Sequence, residues 1–293
     1  MEILRGTLEK NVSLARYTSW KVGGLADVLY RPADIIDLRN FLITLDEEVQ
    51  ITWLGRGTNV LVRDGGIRGV VILLQTGIDQ IEFLERTKVR AEVGVSCAKL
   101  ARSSTEKNLV GAEFLAGIPG TVGGALAMNS GAYGSETWDF VEHVETINRL
   151  GQIQKRSPQD LKVGYRSVKG LENEWFISAE FSFVEGDGAI ARGKIRELLN
   201  KRNESQPVGN QSCGSVFRNP ENDFAARIID TCHLKGTSIG GAQVSTKHAN
   251  FIINAGNATA QDIEELIIKV RKTVEDECGV SLEPEVRIIG EAA

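Results

Sequence analysis

The chain has 293 residues, with 34 lysines and arginines against 39 acidic residues, a formal net charge of −5 and no basic block. That balance argues against non-specific nucleic-acid binding, which draws on a basic patch or stripe. Apolar residues make up 42% and charged residues 25%, enough for a sizeable core and too ordinary for wholesale disorder.

The opening residues, MEILRGTLEK, put charges where a secretory signal needs an apolar core, and no apolar run is long enough to cross a bilayer. A cytoplasmic protein without membrane insertion is the expectation, and no protein partner is inferable. Cys97, Cys213, Cys232 and Cys278 form no C-x-x-C pair, and the three histidines form no H-E-x-x-H. Neither a metal site nor a disulfide framework is expected.

In chain order, ADVLYRP, QITWLG, GVVILLQ and KVRAEVG are β-branched runs bounded by turn residues and predict short strands. Within WLGRGTNVLVRDGG, residues Gly55, Gly57, Thr58 and Asn59 follow an apolar strand directly. Glycine permits close approach and unusual dihedrals, so consecutive N–H groups there can cradle phosphate oxygens. A plain hairpin turn accounts for the same residues. The third glycine and the helix of a Rossmann fingerprint are missing, as is the Gly-Lys-Ser/Thr ending of a Walker A loop.

CAKLARSSTEKNL has helical spacing. It is followed by the 116–134 segment, AGIPGTVGGALAMNSGAYG, in which Gly117, Gly120, Gly123, Gly124, Gly131 and Gly134 alternate with Pro119, Thr121 and Asn129. Such glycine density costs chain entropy unless backbone passes close to something flat or polyanionic; tight internal packing is the alternative. Two such loops favour a dinucleotide or similar pyrophosphate ligand. In VGYRS, Tyr165 and Arg166 stand without an acidic neighbour. The arginine suits a carboxylate or phosphate, or is simply a surface residue.

A helix over IARGKIRELLNKRN lies between two breaks, EGDGA and NESQPVGNQSCG, which suggests a boundary near 200. NQSCGSVFRNP then reads either as a solvated turn entering a strand or as a strand carrying Ser215 into a pocket. NDFAARIIDTCHLKG and ATAQDIEELIIKVRKTVEDECG predict helices. In the second, Thr259 and Asp262 form a capping box, Ile263, Leu266, Ile267, Val270 and Val274 form one face, and Gly279 ends it. HANFIINAG and VSLEPEVRIIG supply strands. Alternation in the latter sends Glu283 and Glu285 to one face, with one carboxylate solvated and the other drawn inward. The pattern is α+β, with a small α/β domain last.

Seven segments in register resemble the UDP-N-acetylenolpyruvoylglucosamine reductases, the FAD enzymes of bacterial wall-precursor synthesis. They are NVSLARYTSWKVGG, GRGTNVLV, GIPGTVGGALAMNSGAYG, GYRS, CGSVFRNP, LKGTSIGGAQVSTKHANFIINAGNATAQD and LEPEVRIIG, and they span nearly the whole chain. The resemblance implies a two-subdomain FAD-binding fold of the vanillyl-alcohol-oxidase type over residues 1–200. A small α/β substrate-binding domain over 201–281 and a C-terminal strand over 282–293 returning to the active site complete it. It implies that NADPH reduces FAD, which then reduces the enolpyruvyl ether of UDP-N-acetylglucosamine to UDP-N-acetylmuramate. The FAD would be non-covalent, since no histidine or cysteine accompanies the glycine loops as an anchor.

By the motif matches, FAD falls to Gly55, Gly57, Thr58, Asn59 and Val60 and to Gly117, Ile118, Pro119, Gly120, Thr121, Gly123, Gly124, Ala125 and Asn129. Arg166, Ser215 and Glu285 become the catalytic set, with Tyr165 and Asn219 beside the substrate. The Ser215 stretch then reads as a strand start delivering a proton donor. No tyrosine occurs between Arg166 and Ser215, so the chain resembles the shorter form of the family, which lacks a substrate-covering tyrosine loop. Lys235, Lys247 and His248 are candidates to cover the uridine diphosphate. The alternatives are another flavin oxidoreductase of this fold and a non-catalytic sugar-nucleotide binder.

Overall fold

A computed structural model of the chain describes residues 3–293. It divides into two compact units, neither of them a single stretch of sequence. The first takes residues up to Glu9, Leu29–Gly55 and Val71–Lys201; the second takes Lys10–Val28, Arg56–Val70 and Arg202–Ala293. The fold is α+β, as its sequence pattern indicates.

In the first unit, helix α1 (Ile35–Ile43) starts at Asp34, whose side chain accepts from the Asp37 N–H, and α2 (Cys97–Glu106) starts at Ser96 in the same way. Five antiparallel strands form the main sheet, in the order Ile153–Arg156, Val141–Asn148, Glu174–Ser182, Lys88–Glu92, Ile81–Phe83. Against it packs α3 (Val122–Met128), capped by Thr121 and ended by Asn129 in the left-handed region at φ 41°. This helix lies inside the segment that reads as a glycine-rich loop. Gly123 explains the difference: an added Cβ would sit 2.9 Å from the Val93 Cβ. Close packing on the sheet outweighs the low helix propensity of glycine there. Helix α4 (Gly188–Ser205) follows the short strand Val184–Glu185 almost at once, leaving a narrower break than EGDGA suggests.

The second unit contains α5 (Ala225–Thr231) and α6 (Ala260–Cys278). Helix α6 has the expected capping box, its five expected apolar residues are all buried, and Gly279 closes it at φ 66°. It packs on a three-stranded antiparallel sheet of Ser238–Ile239, Ala242–Val244 and Ile252–Asn254. The early segments join this core through specific ties. Trp20, fully buried, donates through Nε1 to the Ile252 carbonyl at 2.7 Å. Asp64 accepts from the Ala260 and Gln261 N–H groups at the start of α6, and Arg63 forks onto Glu264 at 2.9 and 2.7 Å. Val60–Val62 runs parallel to Arg287–Ile289.

Two expectations about strands need correction. Residues 212–217 form no continuous strand but two isolated bridges, Ser212 to Ile253 and Phe217 to Pro284. Gly214 between them lies at φ 73°, which no strand residue adopts. The C-terminal strand begins only at Arg287, so alternation does not govern Glu283 and Glu285. Glu283 is exposed and pairs with Arg218 at 3.1 Å, whereas Glu285 is half-buried.

Candidate active site

Residues 55–59 connect the strands Ile51–Leu54 and Val60–Val62. Gly57 is left-handed at φ 60°, and a Cβ there would stand 2.1 Å from the Tyr17 carbonyl oxygen, so only glycine fits. Two carbonyls of this loop are engaged. Gly57 O accepts from the Ser19 N–H at 3.0 Å and Asn59 O from the Arg287 N–H at 3.1 Å. The Cys213 thiol, pushed up to about 12 by burial, lies 3.5 Å from the Gly57 carbonyl. The donors are not engaged: among the described residues, no backbone N–H of 56–59 bonds to another backbone group. A short row of N–H groups is thereby left for an outside acceptor.

In the first unit, Gly55 abuts the second glycine segment, since a Cβ on Gly55 would lie 2.8 Å from Thr121 Oγ1. That segment's residues do different work. The N–H groups opening α3 are spent on the protein: Val122 on Val95 O at 2.8 Å, Gly123 on Val93 O at 2.9 Å, and Gly124 on Thr121 Oγ1 at 3.4 Å. A phosphate would find no free donors on them. Gly117 is filled by Tyr133, whose ring carbon a Cβ would meet at 2.7 Å. Gly124 differs: it is exposed, and the nearest atom to an added Cβ is 3.9 Å away. Pro119 is exposed, while Ile118, Thr121 and Ala125 are buried. In the second unit, the unspent N–H groups at 56–59 suit the oxygens of a pyrophosphate; in the first unit, the open backbone at Gly124 leaves room for close approach of a ligand.

Asn129 is almost fully buried, and its side chain is occupied. Nδ2 donates to Glu136 at 2.7 Å and to the Gly164 carbonyl at 3.2 Å, and Oδ1 accepts from the Trp138 N–H at 3.2 Å. It thus holds the turn between the paired strands Lys162–Gly164 and Ser167–Lys169, where Tyr165 and Arg166 sit. Arg166 takes a left-handed φ of 51°, a position that favours glycine. Its guanidinium reaches Asn129 O at 3.4 Å and Gly131 O at 3.1 Å and lies over the Tyr165 ring at 5.2 Å. Gly131 leaves room for it, because a Cβ would approach Arg166 Nη1 to 3.2 Å.

Ser215 and Glu285 belong to the second unit, as does Asn59, and main-chain bonds bring their segments together. The Glu285 N–H donates to Val216 O at 2.7 Å, and Asn59 Nδ2 donates to Glu285 O at 3.1 Å. Buried Asn250 fixes the other side. Its carbonyl accepts from the Val216 N–H at 2.9 Å, and its side chain binds both main-chain groups of Phe217. The sequence reading missed Asn250; the signal available was an amide inside the apolar run HANFII, since a buried amide needs partners. Asn219 is exposed, and its Oδ1 accepts from the first N–H of α5 at 3.1 Å.

Lys235 is exposed and paired with Asp230 at 2.8 Å, and Lys247 reaches the Asn203 carbonyl. Burial, with a smaller push from the Lys235 charge, holds His248 below the usual imidazole range. Its Nδ1 accepts from the Asn250 N–H at 3.3 Å. On the first unit's sheet, Glu142, His143 and Glu180 gather within 4.8 Å, a grouping without a sequence signal. Lys88 already pairs with both carboxylates.

Residues 206–289 match the family model for the C-terminal domain of UDP-N-acetylenolpyruvoylglucosamine reductase, and residues 26–157 match that for an FAD binding domain. The chain is 56% identical to the UDP-N-acetylenolpyruvoylglucosamine reductase of Methylococcus capsulatus over 98% of its own length and 95% of the relative's. It is 53% identical to that of Coxiella burnetii, covering 98% and 97%. Among solved structures, the UDP-N-acetylenolpyruvylglucosamine reductase of Thermus caldophilus superposes with a TM-score of 0.84 at 30% identity, over 98% of this chain and 100% of that one. The chain belongs to the UDP-N-acetylenolpyruvoylglucosamine reductase family.

Proposed function

We propose that this protein reduces enolpyruvyl-UDP-N-acetylglucosamine to UDP-N-acetylmuramate in the cytoplasm, with non-covalent FAD as cofactor and NADPH as reductant. The observation that carries this reading is that the FAD-binding and reductase matches fall on one chain, aligned to its relatives almost end to end. No helix among the described residues is long and apolar enough to cross a membrane. In functional terms residues 1–200 hold FAD, 201–281 hold the substrate, and 282–293 bring Glu285 to the reaction.

When bound, FAD supplies a hydride for C3 of the enolpyruvyl group. The chain manages the charge and the proton that follow. The N–H groups of 56–59 would serve the pyrophosphate of the cofactor, and Gly124 would leave room for it. Addition at C3 leaves negative charge on C2 and the attached carboxylate. The Arg166 guanidinium, preset by Asn129 and Gly131, stabilises that charge as it develops. Ser215 Oγ then gives its proton to C2, with Glu285 orienting or replenishing it. Lys235 and Lys247 supply cations for the diphosphate, while His248, neutral near pH 7, acts through hydrogen bonds.

An absorption spectrum tests this reading. The purified protein should be yellow, lose its flavin band when NADPH is added without oxygen, and regain it on adding the enolpyruvyl substrate. A colourless protein that takes up no FAD would overturn the proposal. A yellow protein that NADPH bleaches but the substrate does not restore would point to another flavin oxidoreductase.

A further inference from the structure

Cys232 follows the last residue of α5 and Cys278 is the last residue of α6, 46 positions apart in sequence, and their sulfurs lie 3.2 Å apart. Both are free thiols, Cys232 buried and Cys278 exposed. Burial, followed by the hydrogen bond with Cys278, pushes the Cys232 thiol up to about 12. It is therefore a poor first nucleophile. Cys278 is exposed, so it is the sulfur that an outside disulfide reaches first. Cys97 and Cys213 are buried elsewhere, at 0% and 3% exposure.

We propose that Cys278 and Cys232 form a reversible disulfide site that takes its oxidising equivalents from a small-molecule disulfide. The Cys278 thiolate attacks one sulfur of that disulfide, whose S–S bond breaks and releases one small thiolate. Cys232 loses its proton as it attacks the Cys278 sulfur of the mixed disulfide, expelling the second small thiol. Two protein thiols are oxidised and one small disulfide is reduced to two thiols; an excess of small thiol reverses the exchange. Closing 3.2 Å to the ~2.05 Å of a disulfide asks for little side-chain movement. The bond would tie the ends of two helices that share one core. Disulfides of this reversible kind suit a reducing compartment, where structural ones are rare.

Incubating the FAD-loaded protein with oxidised glutathione tests the site. Thiols titrated after denaturation should fall from four to two, and intact mass should drop by two hydrogens. Peptides containing Cys232 and Cys278 should be joined, and the Tm should rise by several degrees until reduced thiol is added. Cys232→Ser should stop at a glutathione adduct on Cys278, and Cys278→Ser should not react. A titre that stays at four, a persistent adduct on the wild-type protein, or a bond to Cys97 or Cys213 would overturn the proposal.

Discussion

Asn250 holds Phe217 by both of its main-chain groups: Oδ1 accepts from the Phe217 N–H at 2.9 Å, and Nδ2 donates to the Phe217 carbonyl at 2.8 Å. An amide side chain thus does for this segment what a neighbouring strand would do, and it fixes the main chain two residues after Ser215. Asn250→Ala would strand two buried backbone groups, each costing ~1–3 kcal/mol. Asn250→Asp is more telling, because a carboxylate would face the Phe217 carbonyl. Turnover of this variant should be low at neutral pH and rise as acid protonates the new side chain, which can then donate. The kcat–pH profile of the wild type should lack that rise. An aspartate variant with a wild-type profile would remove Asn250 from the account.

Neighbouring glycines in α3 should behave oppositely. Gly123→Ala drives a Cβ to 2.9 Å from Val93 and should lower the thermal stability of the FAD-free protein. Gly124→Ala meets open space, and alanine in place of a helical glycine should add ~0.5–1 kcal/mol to that stability. It should nevertheless weaken FAD retention, because the cofactor loses its close approach. Thermal melts with and without FAD separate the two effects. Equal FAD retention in wild type and Gly124→Ala would make this glycine a packing residue.

Asp37 gives the fold an acid limit. It is buried and accepts from Tyr30 Oη at 2.6 Å, Arg5 N at 2.6 Å and Ala33 N at 2.9 Å. Burial alone raises its carboxyl, but these hydrogen bonds outweigh burial and hold it below the usual carboxylate range. The stability it contributes is complete above the unfolded value of about 3.9 and is lost as pH falls through the folded value. Asp37→Asn should therefore flatten the acid side of the stability–pH curve. An unchanged slope below pH ~4 would assign the acid limit to other groups.

Much of this architecture was legible because local chemistry wrote it. The capping box, apolar face and terminal glycine of α6 are all within one helix, and the early β-branched runs form strands. What stayed hidden depends on distant partners. Helix α3 looks like a loop because glycine is a poor helix former, and only Val93 shows why glycine is needed. The Ser215 segment reads as a strand because Val216 and Phe217 favour one, yet Gly214 breaks the run and Asn250 supplies the pairing. The second unit includes residues near the start of the chain because Trp20 bonds Ile252, 232 positions away. No window of sequence contains that bond.

Ser215→Ala, followed by stopped-flow absorbance, tests the central claim most directly. The substitution removes one oxygen from a half-buried side chain and should leave FAD binding intact. Bleaching of the flavin by NADPH should keep close to its normal rate. Reoxidation by enolpyruvyl-UDP-N-acetylglucosamine should slow by ~10²–10⁴, the scale of a lost general acid, or roughly 3–5 kcal/mol of transition-state stabilisation. Ser215→Cys should recover part of the rate, since a thiol can also give a proton. An alanine variant that loses NADPH oxidation but keeps substrate reduction, or that loses neither, would contradict the assignment of Ser215 as the proton donor.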